Sequence, residues 1–180
     1  MPRGSLSTPT AYPGRMISGP LKWYTVAETL RVAVDAELTV PVQRSGVVPG
    51  AIPWDECDCG MLAVSVAQVY PTETFPDLMT DLTGNCDAPA QSGEIVIQVI
   101  RCAPQPEGQD FAPSVAAQDA SAQEINRDAY EMILATRQTL CQMQADRDIY
   151  AWLWRPLTSQ GPSGACVGNE LRVFVGLKND

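Results

Sequence analysis

The chain has 180 residues, 45% of them hydrophobic, with 21 acidic against 12 basic side chains, a formal net charge of −9 and no histidine. That length can bury a core without help from disulfides, while the acidic balance argues against gripping duplex DNA, which depends on Lys and Arg displacing counterions. Lack of histidine removes the Ser/His/Asp and Cys/His nucleophile pairs and histidine metal sites, and no apolar stretch approaches the roughly 20 residues of a membrane-spanning helix.

Residues 1–18 carry Pro2, Pro9 and Pro13 and no hydrophobic period, and read as an extended arm without a secretory signal, so a cytoplasmic product is expected. The remaining 19–180 read as one domain. Gly19 and Pro20 mark a helix entrance. Trp23, Val26, Ala27, Leu30, Ala33, Val34 and Leu38 then recur at helical spacing. Pro41 to Gly60 reads as a long connection ending in the acidic Cys-x-Cys run. Met61 to Tyr70 reads as a strand stopped by Pro71. A second long connection, 71–93, holds Phe75, Leu78, Met79 and Leu82 among turn residues. Loops of that length in compact domains usually bind something, which makes those four candidate subunit-interface residues.

Glu94 to Cys102 is apolar on both sides and reads as a central strand. The pattern Ser121-x-x-Glu124 has the form of a capping box, although a start near Ser114 is also open. From there Ile125, Ala129, Met132, Ile133, Thr136, Leu140 and Met143 form an apolar stripe, ending near Asp146. Ile149 to Leu157 and Cys166 to Leu177 flank a turn-rich stretch, 158–165, and read as a closing hairpin. The predicted fold is therefore α+β: a small, mostly antiparallel four-stranded sheet covered by two helices, with long loops and an N-terminal arm.

The six cysteines divide into two groups. Cys102 and Cys141 fall on a predicted strand and helix, where thiols usually act as small buried hydrophobes. Cys57, Cys59, Cys86 and Cys166 lie at loop edges and form a candidate disulfide or thiol cluster. Their spacing lacks the paired CxxC knuckles of zinc ribbons, so no metal and no cofactor is assigned. Asp55, Glu56 and Asp58 sit in the same run without a visible partner across a cleft, and no catalytic residues are assigned. Trp152 and Trp154 alternate and share a strand face, as core or as a contact patch.

Several strings carry a resemblance: WDECDCGMLAV at 54–64, TFP at 74–76 followed by Cys86, VIRCAP at 99–104 and GPSGACVGNELRVFVGL at 161–177. They resemble head-to-tail connector proteins of long-tailed phages infecting actinobacteria, and most of all their tail terminators, over residues 20–177. The resemblance implies a non-enzymatic structural subunit. Copies would form a ring, usually of about six, that caps the tail tube and joins it to the head connector with a channel left for DNA. The implied partners are further copies, the major tail tube protein, a head-tail stopper or connector, and passing DNA held without specific binding. No membrane is involved, and the protein would be made in the host cytoplasm and reside in the virion at the head-tail junction. A stopper or adaptor of the same junction, or a small metal-binding module, is the alternative. An acidic surface lets DNA slide, which makes Asp77, Asp81 and Asp87 candidate channel-facing acids; they could equally keep an exposed loop soluble.

Overall fold

The computed structural model describes residues 19–50, 60–81, 90–106, 108 and 112–178. The expected arm over 1–18 lies outside them, as do Cys57, Cys59, Leu82, Cys86 and Asp87.

The first helix, α1, covers Lys22–Glu37 and buries Val26, Ala27, Leu30 and Val34, the inner side of the predicted stripe. A short strand β1 (Arg44–Val47) follows, then β2 (Met61–Thr72) and β3 (Ala90–Cys102). The second helix, α2, runs for 31 residues from Val115 to Ala145. The chain closes with β4 (Ala151–Trp154), β5 (Thr158–Ser163) and β6 (Cys166–Lys178). The sheet order is β1-β2-β3-β6-β4, with β5 also paired to β6. Among the described strands only β1 against β2 is parallel, with Arg44 opposite Met61 and Val47 opposite Val64.

Both helices cover one sheet face. Leu62 and Val64 of β2, Ile95, Ile97 and Val99 of β3, and Leu171, Val173 and Val175 of β6 join Val26, Leu30, Met132 and Leu140 in one core. Alternation along a strand puts every second side chain on that side, and each buried branched side chain contributes about 1.5–3 kcal/mol. Trp23 lies flat over β3 because position 93 is glycine: a Cβ there would come within 2.4 Å of the indole. The indole N–H donates to Gln91 Oε1 at 3.2 Å. A polar row crosses the opposite face, where Arg172 bridges Glu94 and Glu170, and Gln68 and Gln98 donate to those carboxylates.

The four-stranded, mostly antiparallel sheet predicted from sequence is corrected to six strands in a mixed sheet. Two strands went unread for separate reasons. Arg-Ser-Gly-Val at 44–47 has no apolar alternation because it is an edge strand, exposed at its first two residues. Thr-Ser-Gln-Gly-Pro-Ser at 158–163 carries turn residues yet pairs with β6, across a bulge between Gln160 and Ser163. The true turn is confined to Gly164 and Ala165, with Gly164 at φ +59°. Strand β2 also runs through Pro71. Its carbonyl accepts from Met79 N at 3.0 Å, on the side away from β3. A residue's N and C=O point to the same side of a strand, so the missing proline N–H forfeits no bond to β3.

Candidate functional site

The most buried polar cluster ties three elements together. Arg101 is near the end of β3, and its side chain is 5% exposed. It donates in bidentate fashion to Asp128 of α2, Nε to Oδ2 at 2.8 Å and Nη2 to Oδ1 at 2.9 Å. Its remaining donors reach the carbonyls of Val40 at 2.6 Å and Pro41 at 3.3 Å, just past α1. Glu124 lies 3.4 Å away, and Glu131 accepts from the Thr39 backbone N–H at 2.9 Å and from its hydroxyl. Burial opposes the guanidinium charge, but the hydrogen bonds and charge of Asp128, with Glu124 and Glu131 further out, outweigh it and raise the Arg101 pKa. Every arm of this guanidinium is engaged within the chain, so the cluster acts as a clamp between the α1–β1 connection, β3 and α2. The string VIRCAP contains Arg101, but nothing in sequence pairs it with an aspartate 27 residues on.

The candidate interface residues separate on the structure. Phe75 is partly buried, its ring edge-on to Tyr150 at 6.0 Å, and both rings lie over Gly176. Met79 is partly buried and its backbone holds the edge of β2. Of the three that are described, Leu78 alone projects, 56% exposed. The loop that carries it is tied down: Tyr70 Oη donates to Pro76 O at 2.7 Å, Thr72 Oγ1 to Asp77 O at 2.6 Å, and Asp77 N to Thr74 O at 2.7 Å. Asp77 and Asp81 are both exposed on this loop.

Of the candidate thiol cluster, Cys166 opens β6 and is disulfide-bonded. Cys102, read from sequence as a packing thiol, is disulfide-bonded as well; its position at the end of β3 is compatible with either role, so spacing alone did not separate them. Cys141 is a free, exposed thiol on α2. Among the described residues no three Cys, Asp or Glu side chains gather as metal ligands, and no helix is long and apolar enough to cross a membrane. Trp152 and Trp154 share a face as expected, edge to face at 5.8 Å; Trp152 packs on the core and Trp154 is 38% exposed.

The chain leaves much apolar surface uncovered. Besides Leu78 and Trp154, Leu21 just before α1, Tyr24 on α1, and Val115 and Tyr130 on α2 are exposed, Val115 by 82%. Residues 115–120 of α2 are exposed at every position, so about two turns of helix stand clear of the described domain. No protein-family model and no curated protein matches the chain.

Proposed function

We propose that this chain is a structural ring subunit of a phage head-to-tail junction, and specifically the tail terminator that caps the tail tube and joins it to the head connector. The observation that carries this reading is the uncovered apolar surface: Leu21, Tyr24, Leu78, Val115, Tyr130 and Trp154 lie around the domain on or beside two helices, a pinned loop and an edge strand. Scattered exposed apolar residues are ordinary, but the exposed first turns of α2, with Val115 82% exposed, offer a surface that a neighbouring subunit would cover. The resemblance of several sequence strings to phage connector proteins supports reading that neighbour as further copies of the chain, with the tail tube protein and a stopper or connector on either side. Leu78, held out on a rigid loop, is a contact to one of them. Asp77 and Asp81, exposed on the same loop, are on this reading the acids that would face the DNA channel, where like charge keeps phosphate from sticking.

Electron microscopy of phage particles labelled with an antibody fragment against this chain tests the proposal. Label at the neck, on a ring seated at the tube end, is the expected result. Label above that ring, against the head portal, would reassign the chain to an adaptor or stopper. Particles without label would sink the structural role altogether.

A further inference from the structure

We propose that copies of this chain join head to tail, the α1–β1 flank of one against the α2–β4 flank of the next. This deepens the ring reading and rests on it only for the closure of the contact into a ring.

The strand directions make the contact feasible. Strand β1 is parallel to β2, whereas β2 with β3, β3 with β6 and β6 with β4 are antiparallel. Strands β1 and β4 lie on opposite edges, the second shared with β5, and run in opposite directions. Each has four residues, and among the described residues neither has a backbone partner on its outer side. Brought side by side between copies, β4 and β1 form an antiparallel pair. The sequence Ala-Trp-Leu-Trp in β4 is an apolar edge, with the charge and proline that blunt such edges only beyond it at Arg155 and Pro156, and an apolar edge invites a further strand.

The helices above these edges are matched in charge. Arg31 of α1 donates to Ser45 of β1 at 2.7 Å, which fixes the row Tyr24, Glu28 and Asp35 on the β1 flank. Gln144 of α2 donates to Tyr150 O at 3.2 Å and accepts from Trp152 Nε1 at 3.0 Å, which fixes Tyr130 and Arg137 on the β4 flank. Glu28 and Asp35 share the single cation Arg31, leaving this row of α1 acidic, above an edge strand that opens with the exposed Arg44. Arg137 is exposed and has no ion pair among the described residues. A two-fold contact could also pair β4 with β4 or β1 with β1 in antiparallel fashion, but it would set Arg137 against its own copy or the carboxylate row against itself. Like charges in register oppose such contacts, and the unlike pairing yields rings or filaments rather than closed dimers.

Cysteine cross-linking separates these geometries. In the full chain carrying Cys141→Ser, Gln43→Cys precedes β1 and Arg155→Cys follows β4; both positions are exposed, and antiparallel pairing brings them together. With a short bismaleimide, the two variants mixed should give covalent dimers that neither gives alone, and the double variant should give a ladder of multimers. Adding Arg137→Glu should weaken the association by about tenfold. Dimers from either single variant would show a two-fold contact and overturn the proposal, as would an absence of cross-links from every sample. Rings seated at tail ends without these cross-links would overturn the head-to-tail contact and leave the proposed function standing. The expected cross-links from a chain missing at phage necks would do the reverse.

Discussion

Arg101 and Asp128 show how one pair can set the stability of this domain. Their side chains are 5% and 1% exposed, so neither charge can return to water if the other is removed. Asp128→Ala leaves a buried guanidinium with two backbone carbonyls and more distant carboxylates, and should lower stability by about 3–5 kcal/mol, measured by urea unfolding. A loss below about 1 kcal/mol would mean that water reaches the cluster. Arg147 makes the opposite case. It holds φ +66° just past α2, where Arg147 N donates to Gln144 O and Asp148 N to Met143 O, the bonding of a Schellman cap. Glycine takes that conformation without the Cβ penalty, so Arg147→Gly should raise stability by about 0.5–1 kcal/mol in the same experiment. Tyr150 supplies a pH test. Burial raises its pKa above the ordinary phenol value of 10.0. The unfolded chain then loses the phenolic proton first as pH rises, so the stabilising contribution is complete below pH 10.0 and is lost as pH climbs from there toward the folded pKa. Tyr150→Phe should flatten that part of the stability curve, and an unchanged slope would assign it to another group.

Among the elements, those that bury a regular face were legible and those that do not were missed. Val26, Leu30 and Val34 on α1, and Ile95, Ile97 and Val99 on β3, repeat at the period of their element because each meets the core. Strand β1 has almost nothing to bury, and β5 lies at the margin of the sheet with Gly161 and Pro162 inside it. Their place depends on a neighbouring backbone, which no local pattern records. The Arg101 cluster was hidden for the same reason, since it joins residues from three distant segments. The start of α2 was ambiguous between two serines; Ser114 is the cap, accepting from Ala117 N at 3.2 Å, while Ser121 lies inside the helix. That geometry gives a prediction about the exposed turns. Ala120→Pro puts proline at the first position of a shortened helix with Asp119 available as its cap. Because residues 115–120 bury nothing in the described domain, thermal unfolding of the isolated chain should change by less than about 1 kcal/mol. Leu140→Ala in the core of the same helix should cost about 2–5 kcal/mol. A Pro variant as damaging as the Leu variant would show that those turns are already packed within one subunit.

At the scale of the whole molecule, the cysteines connect stability to the place where the protein works. Cys102 at the end of β3 and Cys166 at the start of β6 are each disulfide-bonded, and these strands form the centre of the sheet. A cross-link restricts the unfolded chain and typically adds about 2–4 kcal/mol. Such bonds are discouraged in a reducing cytoplasm and persist outside it. A junction protein on the proposed path meets both settings, first at synthesis and then in the released particle, so its sheet should be held by packing alone at first and by disulfides afterwards. The core supports that order: Leu62, Ile95, Ile97, Leu171 and Val173 are at most 1% exposed and owe their burial to helix packing. Two samples of the purified chain, one oxidised and one kept in a phosphine reductant, should both unfold cooperatively. The reduced one should melt several degrees lower, as expected for a loss of that size. Thiol titration in denaturant gives the second readout, with Cys141 reacting in both samples and Cys102 and the buried Cys166 only after reduction. If the two melting curves coincide while titration shows the bonds intact in the oxidised sample, the cross-links do not stabilise the fold, and maturation of the particle by oxidation loses its physical basis.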